Sequence, residues 1–150
     1  MKDKVVADAS VIVKWVMPED YTENALRLRD DFLDGRVDIH APSILLLEVA
    51  TALRKYYLKG FIGKDTAERA LGLIASSEIR LHEIDIDMTL KSLRMSLDYN
   101  ITVYDAAYIV LASRLSATVY TADDRLLSNQ KMLELEIVKH IREYPKTAPP

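Results

Sequence analysis

Residues 4–16 read KVVADASVIVKWV, and their interpretation decides the fold. Val5, Val6 and Ala7 form a short apolar run of the kind that makes a buried strand. Val11, Ile12 and Val13 follow as a helical turn or two that ends near Pro18. Asp8 stands between two segments that both favour burial. A buried charge is unfavourable unless something pairs with it. Asp8 therefore either caps the helix after it or belongs to a site.

Outward from this stretch the chain keeps alternating. Residues 21–35 place Ala25, Leu28 and Phe32 at helical spacing, with Gly35 as the stop. VDIHAP, residues 37–42, is a second short strand. SILLLEVATALRKYYLKG, residues 43–60, is a strong helix between Pro42 and Gly60. Residues 64–77 form another helix, 79–85 alternate like a strand, and 87–100 are helical. VYDAAYIVLASRL, residues 103–115, is an apolar helix, and ATVYTA, residues 117–122, is a strand. DDRLLSN begins a helix, and LEIVKHI, residues 135–141, reads as the last strand. Alternating strands and helices predict a parallel sheet covered on both faces. Ligands in such sheets gather at the carboxyl ends of the strands. One domain over residues 1–143 and a loose tail over 144–150 are expected, without internal repeats or linkers.

Composition sets bounds on function. The chain has 150 residues, 49% apolar and 29% charged, which suits one globular domain with its own core. It contains no cysteine, so disulfides and thiolate ligands are excluded, and a reducing cytoplasm is the matching compartment. The first ten residues carry charge where a signal peptide needs an apolar core. No apolar run is long enough to span a bilayer, so no membrane partner is expected. The net charge of −3 argues against loose electrostatic binding to nucleic acid. A bound cation inverts that local logic, so a nucleic-acid enzyme stays open.

Four carboxylates stand out by position. Asp8 follows the first strand and Asp123 follows the strand ATVYTA, so both belong at one edge of a parallel sheet. Glu48 interrupts the run ILLLEVATAL, and Asp105 opens the helix DAAYIVLA. Each has a simpler reading. Asp8 and Asp123 suit helix N-caps. Asp105 completes a capping box with Thr102. Glu48 suits a narrow polar stripe on its helix. Together they ask for more. Two unit charges about 5 Å apart repel by ~3 kcal/mol at an effective dielectric near 20. A hard divalent cation relieves that repulsion, and Mg²⁺ prefers carboxylates and water. Ser10, two residues after Asp8, and Thr121, two before Asp123, carry hydroxyls that can orient carboxylate oxygens.

VVADASVIVKWVMPED, APSILLLEVATALRK, TVYDAAYIVLASRL and ATVYTADDRLL, taken together and in this order, resemble the PIN domain family, in its VapC-type toxin branch. The resemblance runs from about Val5 to Leu127. It implies a three-layer α/β/α sandwich with a central parallel sheet. It also implies a metal-dependent endoribonuclease whose acids map to Asp8, Glu48, Asp105 and Asp123. The small polar residues of the family map to Ser10 and Thr121. On this reading Asp8, Asp105 and Asp123 bind one or two Mg²⁺ or Mn²⁺ ions. Glu48 helps hold a second ion or orients the attacking water. Asp124 adjoins Asp123, and the pattern Thr-x-Asp selects Asp123. The products implied carry a 5′ phosphate and a 3′ hydroxyl.

Partners follow from the same resemblance: an RNA substrate, a cognate antitoxin and a second copy of the chain in a homodimer. Lys14, Lys55, Lys59 and Arg125 are the candidate RNA contacts, against the simpler reading of solvated cations. Trp15, Tyr56, Tyr57, Tyr99, Tyr104 and Tyr108 invite base stacking, but most fall at core or interface spacing, so packing is expected of them. His40, His82 and His140 are scattered without ligand spacing. Rival readings are weaker. A phosphoaspartyl phosphatase needs a second Asp where Ser10 stands, and a receiver domain needs an acidic pair that VVADAS lacks. A silent PIN-like binding module and an RNA-processing nuclease of the same family are the alternatives closest in kind.

Overall fold

The computed structural model describes residues 2–145. Five strands form one parallel sheet in the order β3-β2-β1-β4-β5. They are β1 (Asp3–Ala7), β2 (Val37–Pro42), β3 (Arg80–His82), β4 (Thr118–Thr121) and β5 (Val138–His140). Val5 pairs with Ile39 on one side and Thr118 on the other, so β1 is central. Val5, Val6 and Ala7 are all buried. Neighbouring residues of a strand face opposite ways, so this run requires cover on both faces. The architecture is the expected α/β/α sandwich.

Helices fill every crossover. β1 leads through α1 (Ala9–Ile12), a 3₁₀ turn at Val13–Trp15 and α2 (Thr22–Leu33) to β2. α3 (Leu45–Leu58) and α4 (Lys64–Ala75) link β2 to β3. α5 (Ile86–Tyr99) and α6 (Val103–Leu115) carry the chain past β2 and β1 to β4. α7 (Asp124–Leu127) and α8 (Gln130–Leu133) precede β5. The connections run one way from β1 and the other way from β4. The gap between the ends of these two strands is the switch point where open α/β sheets place their ligands. α6 packs against β1, β2 and β4. Its residues Ala106–Ala112 are buried on every side, as its continuous apolar sequence demands.

Local boundaries differ from the sequence reading for identifiable reasons. The expected strand over 79–85 is paired only at Arg80–His82, because β3 is an edge with β2 as its single neighbour. α5 starts at Ile86, since Asp85 caps it by accepting from the Met88 amide at 2.7 Å. A second short helix, α8, follows α7 because Asn129 caps it in turn. Gly35 and Gly60 end α2 and α3 with positive φ, the conformation that a side chain strains. Tyr144, the first residue of the expected tail, is buried edge-on against Tyr120 and donates to Asp31. The remainder of that tail, from residue 146, lies outside the described residues. His40 and His82 are not scattered: β2 and β3 bring His40 Nδ1 within 2.8 Å of His82 Nε2. Burial lowers the pKa of both. Among the described residues no helix is long and apolar enough to cross a membrane.

Candidate active site

A cleft of about 640 Å³ opens at the β1–β4 switch point. Asp8, Glu48, Asp105 and Asp123 all line it, together with Ser10, Thr102, Tyr104, Tyr108, Lys55 and Arg125. Four acids from four separate elements therefore share one concavity. Asp124, the neighbour of Asp123, is instead 83% exposed and lies 3.6 Å from His140 Nε2.

The three aspartates are held by local chemistry. Asp8 follows β1 and caps α1, accepting from the Ser10 amide at 3.0 Å and from the Ser10 hydroxyl. The Ser10 hydroxyl also accepts from the Ala122 amide at 2.8 Å and lies 3.3 Å from the Thr121 hydroxyl. Thr121, buried at the end of β4, accepts from the Asp123 amide at 3.1 Å. Ser10 and Thr121 thus tie the end of β1 to the end of β4. Asp123 caps α7 by accepting from the Arg125 amide at 2.9 Å. Thr102 caps α6 by accepting from the Asp105 amide at 3.0 Å, which fixes Asp105 in the first turn. The capping readings and the shared cleft hold together: the caps set the positions and leave carboxylate oxygens for other work.

Tyr108 is the residue that the sequence reading assigned to packing alone. It is buried on α6, one turn after Asp105, and its hydroxyl donates to Glu48 Oε1 at 2.6 Å. A buried Tyr hydroxyl requires a partner, and that requirement was the available signal. Burial, then the charge of Glu48, drives the Tyr108 pKa far up, so it stays a proton donor.

The electrostatics are those of crowded acids. Burial pushes the Asp8 carboxyl up to about 6, against the Ser10 and Thr121 hydroxyls, and Asp105 adds to the rise. Burial also raises Glu48, opposed by the Tyr108 bond and reinforced by Asp105. Asp105 itself is raised by burial and by Asp123, against the Thr102 bond and Arg125. Asp105 is the hub that the other three acids feel or act upon. Arg125 reaches Asp123 at 3.4 Å but is 92% exposed, too solvated to neutralise the group.

The donor set is all hard oxygen, the chemistry of Mg²⁺ or Mn²⁺. Among the described residues no three Asp, Glu or His side chains stand close enough to form a ready metal cage. Mg²⁺ needs none, since it usually takes one or two carboxylates and keeps several waters. The residues present fit such an ion.

The candidate RNA contacts divide. Lys55 and Arg125 line the cleft, but Lys59 does not: it follows the last turn of α3. Lys14 is not an RNA contact of this cleft. It is buried and pairs with Glu19 at 2.9 Å, and Glu19 also accepts from the Tyr56 hydroxyl. The turn at Val13–Trp15 points this lysine into the protein, where a partner within the chain takes its charge.

A family model described as PIN domain matches residues 5–131. Ribonuclease VapC3 of Pyrobaculum aerophilum is 28% identical over 125 residues, covering 82% of this chain and 92% of that protein. VapC20 of Mycobacterium tuberculosis, described as a sarcin-ricin loop cleaving toxin, superposes with a TM-score of 0.63 at 14% identity. That match covers 79% of this chain and 89% of VapC20. VapBC2 of Rickettsia felis, solved bound to a DNA fragment from its promoter, gives a TM-score of 0.63 at 16% identity. It covers 91% of this chain and 98% of the other.

Proposed function

From the chain's membership of the PIN domain family, we propose that it is a metal-dependent endoribonuclease of the VapC type, the toxin of a toxin–antitoxin pair. One observation carries this reading: four acids from separate elements line one cleft, and burial raises the pKa of three of them. The similarity to Ribonuclease VapC3 over most of both chains supports the nuclease assignment.

Asp8, Asp105 and Asp123, which line one cleft without closing into a three-carboxylate cage, would hold Mg²⁺ or Mn²⁺ together with waters that complete its ligands. A divalent cation bound there supplies charge stabilisation to a phosphoryl oxygen and lowers the pKa of an attacking water. The Ser10 and Thr121 hydroxyls hold the Asp8 carboxylate, and Thr121 also fixes the Asp123 backbone by accepting from its amide. Tyr108 engages one oxygen of Glu48, which leaves the other to orient the attacking water and take its proton. Hydrolysis then forms a bond from the water oxygen to phosphorus and breaks the bond from phosphorus to O3′, which leaves as a 3′ hydroxyl after taking a proton from solvent water. Lys55 and Arg125 meet phosphates that flank the reacting one.

Two partners complete the proposal. The VapBC2 assembly supports an antitoxin, whose Arg or Lys would find complementary charge in the acidic cleft. A second copy of the chain is supported by Ile86, Leu90, Leu93 and Leu97, an exposed apolar stripe along α5. The test is cleavage of RNA by pure protein with and without Mg²⁺, beside Asp8→Asn. Cleavage that needs Mg²⁺ and is lost in the variant is expected. Undiminished cleavage by Asp8→Asn would refute the assignment.

A further inference from the structure

Two large side chains at the cleft have no part in the chemistry above. Each stands one residue before an acid: Leu47 before Glu48 on α3, and Tyr104 before Asp105 on α6. Both line the cleft, with Ile44 beside them. Leu47 is 71% exposed and Tyr104 57%. Neither is needed by the core, and an aromatic ring and a Leu left in water beside four carboxylates call for an occupant.

The charge of the cleft narrows the occupant. The chain is net negative, and the cleft presents four acids against Lys55 and Arg125. Affinity for a polyanion through phosphate contacts is therefore weak here, because it scales with the number of phosphates neutralised. Beyond what a bound cation, Lys55 and Arg125 give to a few phosphates, further binding energy comes from another part of the nucleotide. The base is the part that is uncharged and flat, and stacking on an aromatic ring needs no basic residue. A base is free to stack on protein only where the RNA is unpaired, in a loop, bulge or single strand.

We propose that Tyr104 and Leu47 form a base-binding subsite, in which one unstacked RNA base beside the scissile phosphate lies on the Tyr104 ring against Leu47. The proposal rests on the ribonuclease reading for its substrate. It adds the residues that hold the substrate and the expectation that paired RNA binds more weakly than unpaired. An RNA helix keeps its bases stacked on one another and offers no face to Tyr104. The position of Tyr104, adjacent to Asp105, sets the register between the bound base and the reacting phosphate.

The experiment uses the full chain and a labelled mixed-sequence single-stranded 20-nucleotide RNA. Affinity is read by fluorescence anisotropy in Ca²⁺, and cleavage separately in Mg²⁺. Tyr104→Ala is expected to weaken affinity about tenfold, within the range for losing one stacked base. Tyr104→Phe is expected to stay within twofold of wild type. The same RNA is then remade with single abasic positions around its mapped cut site, or along its length if none is cut. One abasic position should weaken wild-type binding as much as Tyr104→Ala does, and should weaken the variant no further. Wild-type affinity in Tyr104→Ala, or independent effects of the two changes, would overturn the proposal. So would a fall in kcat with KM unchanged, which would make Tyr104 a support for Asp105. Changed self-association on gel filtration with unchanged RNA affinity would assign the surface to a second copy and overturn it too. Binding that shows the coupling without any cleavage would sink the ribonuclease reading and leave the subsite standing. Absence of RNA binding by wild type would sink both.

Discussion

Replacing Asp8 by Asn will make the metal-free protein more stable. Burial pushes the Asp8 carboxyl from an ordinary 3.8 up to about 6. A displacement of that size corresponds to roughly 3 kcal/mol, at ~1.4 kcal/mol per pH unit. The side chain is almost fully buried, so solvent does not screen this away. Between about pH 4 and 6 the folded chain holds a proton that the unfolded chain has released. Stability therefore falls as pH rises through that window, and the full penalty is present above about pH 6. Asn keeps the shape of the side chain and an oxygen for the Ser10 amide, without the charge. At pH 7.5, in a chelator, Asp8→Asn should melt roughly 6–12 °C above wild type, at about 2–4 °C per kcal/mol for a chain of this size. The gap should close as pH approaches 4. Thermal unfolding at a series of pH values measures both features. A variant that melts at or below wild type at pH 7.5, or a gap that does not change with pH, would refute the reasoning.

Saturating Mg²⁺ or Mn²⁺, at about 100-fold over Kd, should stabilise wild type by ~2.7 kcal/mol and Asp8→Asn by much less, which thermal shifts will show. Tyr108→Phe removes the donor to Glu48 and should lower kcat by about tenfold or more, at a stability loss of ~1–3 kcal/mol, read by cleavage kinetics and denaturant unfolding. Lys14→Met strands Glu19 beside Tyr56 and should lose roughly 2–4 kcal/mol of stability, while the cleavage rate per folded molecule stays within twofold. Lys55→Glu should weaken RNA binding and Lys59→Glu should not, since only the first lines the cleft.

Legibility in the sequence tracked the range of the interactions involved. Val5-Val6-Ala7 and VDIHAP announced buried parallel strands because burial on both faces leaves a continuous apolar run. Asp8 and Asp123 could then be placed at one sheet edge without coordinates, since parallel strands end on the same side. Thr102 and Asp105 were readable as a cap because capping spans only three residues. The features that escaped depend on contacts between distant segments. Tyr108 meets Glu48 across sixty positions, and the pattern of α6 alone marks it only as core. His40 meets His82 because of the β2–β3 register, which no local pattern encodes. Lys14 looked like a free cation because its partner, Glu19, lies beyond Pro18, where helical spacing no longer applies.

The same contrast bears on why Asp8 is an acid. As a cap it accepts from the Ser10 amide, and Asn or Ser would serve α1 about as well. Neither would carry a charge into a nearly dry position next to Asp105. The capping role accounts for the position of the residue and for its oxygen, but not for its charge. That charge weakens the free protein at neutral pH, and a cation shared with Asp105 and Asp123 is what would offset it. Stability of the metal-free chain and competence of the proposed site are thus set against each other in one side chain. Asp8→Asn should separate them, with a higher melting temperature and no cleavage in the same molecule.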